Sequence, residues 1–130
     1  MIVVRRVGSG SVASVADLME RMLQDVFNEP DPARRDAAIA ETFTEDVVFR
    51  DAEGTVAGRA ELAAKVTELL AQGPGFVFVH EGPLREIADT LGVRAWRLGP
   101  PGGSAVLGGL DVAVVRDGLI ATLYTVLDGG

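Results

Sequence analysis

Gly108 to Asp128 reads GGLDVAVVRDGLIATLYTVLD: two runs of β-branched and apolar residues on either side of the dipeptide Asp117-Gly118. Such residues suit a pleated, half-buried surface, and Asp-Gly supplies the backbone of a tight two-residue turn. The stretch predicts an antiparallel hairpin. Toward the N-terminus the same texture recurs in SAVLGGLDVAVV (104–115), VRAWRL (93–98), roughly Leu84 to Ala88, and FVFVHE (76–81), with Gly, Pro and Asp between the runs. Everything after Pro74 therefore reads as strand and turn.

Before Pro74 the period changes. Val15, Leu18, Met19, Met22, Leu23 and Val26 recur at intervals that place them on one helical face. Ser14 and Asp17 form a capping pair at its start, and the prolines of NEPDP (28–32) end it. Asp31 as cap and Pro32 in the first turn open a second helix through Phe43. A third helix is predicted from about Arg59 to Gln72, with Leu62, Val66, Leu69 and Leu70 inward, closing at Gly73-Pro74. Helices followed by a long antiparallel meander define an α+β fold, with three N-terminal helices packed on a strongly curved, mainly antiparallel β-sheet. Both alternating faces of AVLGGLDVAVV (105–115) are apolar. Three helices cover only one face, so a homodimer is expected to cover the other.

A chain of 130 residues, 48% of them hydrophobic and 24% charged, is long enough for one core. Residues 1–11 are expected to be a flexible N-terminal tail and residues 12–130 a single domain. Nineteen acids against twelve bases give a net charge of -7, which argues against nucleic acid and anionic membrane surfaces as partners. There is no cysteine, which removes thiolate chemistry and disulfides. The apolar run of MIVVRRVGSGSVAS (1–14) is too brief for a signal-peptide core or a membrane span, and a cytoplasmic location is expected.

The acids that matter are those out of place. FTEDVVFRDAEGTVAGRAEL (43–62) carries five carboxylates, and one of them, Asp51, ends an apolar run on the strand face of Phe49. Asp111 shares a face with Leu107, Ala113 and Val115. An ionised carboxylate in such a setting is costly, and desolvation raises its pKa. Each has a structural alternative: Asp51 can accept backbone N–H groups of its own DAEG turn, and Asp111 can pair with Arg94 or Arg97. His80 extends the face of Phe76 and Phe78, either lining a pocket or serving as a hydrogen-bonded strand histidine. Trp96 and Tyr124 are core residues or ligand walls. The glycines of LGPPGGSAVLGG (98–109) precede no helix and read as a hairpin connection, not a phosphate loop. No His, Asp and Glu grouping has metal-ligand spacing, so neither metal nor cofactor is expected.

Taken together, the helix pair, the residues Phe43, Asp46, Asp51 and Gly58 before a third helix, the strand RAWRLGPPGG and the final hairpin resemble the NTF2-like superfamily, in its SnoaL-like and ketosteroid isomerase-like branch. The likeness runs from Val12 to Asp128. It implies a cone-shaped fold around an apolar pocket that takes a small apolar molecule, and cofactor-free acid–base chemistry of the isomerase or polyketide cyclase type on a carbonyl compound. The same fold also serves as a non-catalytic ligand-binding or dimerisation module. By resemblance Asp51 matches the general base and Asp111 the protonated aspartate that donates to the developing oxyanion, with His80 as a helper. Leu23 stands near the position of the isomerases' helix-borne tyrosine. Leu23, Phe49, Phe78, Trp96 and Tyr124 would form the substrate-binding wall. The Arg-x-Asp strand motif of the epoxide hydrolases is replaced by Gly109-Leu110-Asp111.

Overall fold

A computed structural model describes residues 13–128. The expected tail, residues 1–11, lies outside them. Helix α1 (Val15–Arg21) starts in a reciprocal capping box: Ser14 Oγ accepts from Asp17 N at 3.0 Å, and Asp17 Oδ2 accepts from Ser14 N at 3.3 Å. The helical stretch expected as one regular element then widens into a π-helical segment, Met22–Phe27. This change of pitch keeps Met22, Leu23, Val26 and Phe27 all buried. Single π turns of this kind are frequent at functional sites. Helix α2 (Pro32–Thr42) is capped by Asp31, whose Oδ2 accepts from Arg34 N at 2.9 Å. Helix α3 (Arg59–Gln72) follows Gly58, whose φ of 87° favours glycine and whose N–H bonds Val47 O at 2.7 Å.

The strands are β1 (Phe43–Asp51), β2 (Gly54–Ala57), β3 (Val77–Ile87), β4 (Leu91–Gly99), β5 (Leu107–Arg116) and β6 (Leu119–Leu127). They form one open sheet in the order β2-β1-β6-β5-β4-β3. Every pairing is antiparallel except β1 with β6. Strand β2 was not expected: four residues with Gly at the start, three of them exposed, carry no alternation to read. The two segments read as separate strands around Gly82-Pro83 are one, β3, bulged between Glu81 and Arg85 where Gly82 takes a φ of 77°. Further register breaks fall between Phe43 and Val48 in β1 and between Val114 and Val115 in β5. Bulges bend a sheet, and these give it the curvature the composition alone could not locate.

The helices lie on the inner face of that curve. Gly92 on β4 marks the closest approach of α1, since a Cβ there would sit 2.5 Å from Val15 Cγ1 and 2.7 Å from Met19 Sδ. Asn28, just past the π segment, clips it to the sheet edge: its Nδ2 donates to Phe78 O and its Oδ1 accepts from Phe78 N, both at 2.8 Å. Buried Arg35 donates to Glu29 O at 2.7 Å and Thr67 Oγ1 at 2.5 Å, which ties α2 to α3. Arg59 in turn donates to Phe43 O and Ala40 O at the end of α2, where helical carbonyls lack partners. The core gathers Leu18, Met22, Ile39, Phe43, Leu62 and Leu123 between these layers. Among the described residues no helix is long and apolar enough to cross a membrane.

Candidate active site

Between the helices and the curved sheet lies a cavity of about 400 Å³, within the range that holds small organic ligands. Leu23 and Phe27 from the π segment, Leu69 and Leu70 from α3, and Phe49, Phe78, Trp96 and Leu98 from the sheet line it. Four of these rings touch in sequence. Phe49 meets Phe27 at 6.1 Å between centroids, Phe27 meets Phe78 at 5.8 Å, and Phe78 meets Trp96 at 5.4 Å, the last two edge to face. Such tilted contacts are favourable beyond the area they bury and hold the wall rigid.

Asp51 and Asp111 both line this cavity. Their environments differ. Asp111 is 6% exposed, and burial pushes its pKa up to about 7, against the opposing pull of the Thr125 hydroxyl and the Trp96 indole. Thr125 Oγ1 donates to Asp111 Oδ1 at 2.6 Å. Neither arginine considered for it is its partner: Arg94, opposite Asp111 in register, donates instead to Gly82 O at 3.1 Å, and Arg97 borders a separate shallow pocket.

Asp51 ends β1 and is held from two sides. Its Oδ1 accepts from Glu53 N at 2.9 Å, the turn-capping role its sequence position allows. Its Oδ2 lies 3.4 Å from Lys65 Nζ on α3. Lys65 also pairs with Glu53, and lies 3.6 Å from Glu68. Although its side chain is only 10% exposed, Lys65 stays cationic: the Glu53 bond, then the charges of Asp51 and Glu53, raise its pKa above the usual lysine value. Lys65 and Thr125 were not singled out in the sequence. Lys65 reads there as one more charge on a helix face, and Thr125 is hidden by a register shift.

That shift also decides Tyr124. An unbroken register from the Arg116–Leu119 pair would oppose Asp111 to Tyr124 and put both on the cavity face. Ala121 is instead inserted as an extra residue, so Val115 pairs with Ile120 but Val114 pairs with Thr122. Asp111 therefore faces Thr125, and Tyr124 turns outward, where its hydroxyl accepts from Arg50 at 3.5 Å. Slipping by one residue changes the face of every side chain beyond the slip. The expected place of Tyr124 in the ligand wall is corrected accordingly.

His80 lies outside the lining residues as well. Its side chain is 5% exposed beneath α1, with Nδ1 3.5 Å from Glu20 Oε1. Burial, then the nearby Arg94 charge, lowers its pKa below the ordinary histidine value. The remaining sequence candidates, Leu23, Phe49, Phe78 and Trp96, all line the cavity. Among the described residues no three His, Asp or Glu side chains converge as a metal-ion set.

The profile of the SnoaL-like domain family matches residues 19–123, a span that takes in both aspartates and all the cavity-lining residues except Thr125 and Leu127 at the end of β6. The chain belongs to the SnoaL-like domain family. Its fold is that of NTF2-like proteins of known structure. A SnoaL-like family protein from Agrobacterium tumefaciens, provisionally described as an isomerase, is 27% identical, with a TM-score of 0.80 over 86% of this chain and 95% of that one. An NTF2-like protein of unknown function from Mesorhizobium loti is 26% identical, with a TM-score of 0.66 over 88% and 90% of the two chains. A SnoaL-like protein from Jannaschia, provisionally described as a polyketide cyclase, shares the fold at 20% identity and a TM-score of 0.65, over 85% of each chain. No curated protein matches the sequence.

Proposed function

We propose that this SnoaL-like protein is a cofactor-free acid–base enzyme, of the isomerase or polyketide cyclase type, acting on an apolar carbonyl compound held in the cavity. One observation carries this reading: two carboxyl groups line a single apolar cavity in opposite electrostatic settings. One, Asp51, is paired with an ammonium group. The other, Asp111, is desolvated and holds its proton up to pH about 7. Pairs of titratable groups driven apart in this way divide naturally into base and acid.

In the proposed reaction the Asp51 carboxylate takes a proton from the carbon next to the substrate carbonyl. The C–H electron pair moves into the enolate, and its oxygen is met by the protonated Asp111. Return of the proton from Asp51 to another carbon completes an isomerisation; attack of the enolate carbon on a second carbonyl in the same molecule, whose π pair moves to its oxygen and takes the proton back from Asp51, completes a cyclisation. Well-placed general base catalysis contributes about 10²–10⁴ in rate.

The test is deuterium exchange at the carbon next to the carbonyl in a panel of apolar ketones and enones. Exchange by the wild type, reduced at least about a hundredfold in Asp51→Asn and less in Asp111→Asn, whose amide still donates, is the expected result. Exchange rates in both variants equal to wild type would refute the assignment. The hold of Lys65 and Glu53 N on both oxygens of Asp51 favours one rival, a binding module that uses the cavity without chemistry. Ligand binding with no exchange in any ketone would select it.

A further inference from the structure

Lysine is seldom buried without partners for its charge. The side chain of Lys65 is 10% exposed, and its ammonium group meets three carboxylates: it pairs with Glu53, and lies 3.4 Å from Asp51 Oδ2 and 3.6 Å from Glu68 Oε1. The helix brings it there. Lys65 stands one turn before Leu69, on the face of α3 that closes the cavity, yet it is not itself a lining residue. It stands behind Asp51 and acts through that carboxylate.

The hairpin turn completes the arrangement. Asp51 pairs in register with Gly54, so only Ala52 and Glu53 lie between β1 and β2. This tight turn gives Asp51 and Glu53 a common side toward α3. Glu53 donates its N–H to Asp51 Oδ1 at 2.9 Å and offers its own carboxylate to Lys65. Each carboxylate oxygen can accept twice, so Asp51 is held at both oxygens and still has lone pairs free for the cavity it lines.

Glu53 bears on the base as much as Lys65 does. An ammonium left to Asp51 alone would favour the ionised carboxylate and make it slow to take a proton. Glu53 is 60% exposed, shares that ammonium, and repels Asp51 as a like charge. When Asp51 becomes neutral, Lys65 still has Glu53 and Glu68 as partners.

Resting on the reading of Asp51 as the base, we infer that Lys65 is its positioning residue and Glu53 the counterweight: Lys65 fixes the carboxylate in the cavity wall, and Glu53 offsets the ammonium so that the held carboxylate still accepts a proton. The hold on both oxygens is then a device of orientation. It leaves the base in one plane, which general base catalysis at carbon requires.

The test is deuterium exchange in the ketone panel, followed across acidic and neutral pH in the full chain. Lys65→Met keeps the apolar stem and removes the charge; kcat should fall about tenfold or more while KM stays within about twofold. Lys65→Arg, whose guanidinium pairs with the same acids, should recover most of the loss. Glu53→Gln keeps the backbone N–H on Asp51 and removes the offsetting charge, so kcat should fall and the acidic limb of its pH profile should move down by about one pH unit. The other titratable groups facing the pair, Glu68 on α3 and Asp111 in the cavity wall, are common to all these variants. Wild-type kcat in Lys65→Met, a loss that Lys65→Arg does not restore, or an unmoved acidic limb in Glu53→Gln would overturn the inference. If Lys65→Met does not fold by circular dichroism, the limb in Glu53→Gln decides alone. Exchange by the wild type with an indifferent Lys65→Met strikes this inference and leaves the proposed reaction standing, whereas no wild-type exchange in any ketone removes both.

Discussion

Replacing Asp111 by Asn removes a cavity group whose protonation changes near neutrality, and the consequence for stability can be worked from its surroundings. In the folded protein burial raises its pKa from the ordinary aspartate value of 3.8 to about 7. Between these two values the native state holds a proton that the unfolded chain has released, so stability falls as pH rises through the interval. At about 1.36 kcal/mol per pKa unit, roughly three units amount to at most about 4 kcal/mol, present near pH 4 and lost by about pH 7. Asparagine has no proton to lose and can still accept from Thr125 Oγ1. Its amide should therefore become steadily more favourable than the acid as pH rises. His80 acts in the opposite sense. Its folded pKa lies below the ordinary 6.5, so its contribution is lost as pH falls through the window below that value. It is common to both proteins and cancels in their difference. Urea unfolding of wild type and Asp111→Asn at several pH values from 4.5 to 8 reads that difference directly. Curves that stay parallel across the range would show that Asp111 is not desolvated in the folded state, and the acid's place in the proposed reaction would fall with it.

Gly109→Ala should destabilise the fold by about 1–3 kcal/mol, the usual cost of overpacking, because the new methyl would run into Val126 O on the neighbouring strand and fall 2.6 Å from the Trp96 ring. It should also shift the emission of the single tryptophan to longer wavelength, and unchanged emission with unchanged urea midpoint would refute this packing. The outer sheet face exposes Leu110, Tyr124 and Val126, with Leu110 and Val126 opposed in register. A homodimer through this face is expected, giving twice the 13.6 kDa chain mass in light scattering at micromolar concentration, and Leu110→Asp should reduce it to one; a wild-type monomer under those conditions would count against the interface.

What could be read from the sequence and what could not divides along a physical line. Each helix was specified locally, by Ser14 with Asp17, by Asp31 with Pro32, and by spacing of apolar residues, so the helices are found where their own residues put them. The sheet face of Asp111 was also local, because alternation over Leu107 to Val115 needs no partner to be read. What escaped depends on pairs distant in sequence. Lys65 acquires its meaning only when α3 brings it to Asp51, and the curvature that encloses the cavity comes from bulges that no periodicity announces. The clearest instance is one residue, Ala121. Had the hairpin run unbroken from Asp117-Gly118, Tyr124 would have faced the cavity beside Asp111 and offered the hydroxyl that the first helix lacks. The bulge sends that hydroxyl outward to Arg50 and brings Thr125 in. The cavity is thereby left with one buried acid and a short hydroxyl holding it, so its lining follows from a register shift more than from any motif.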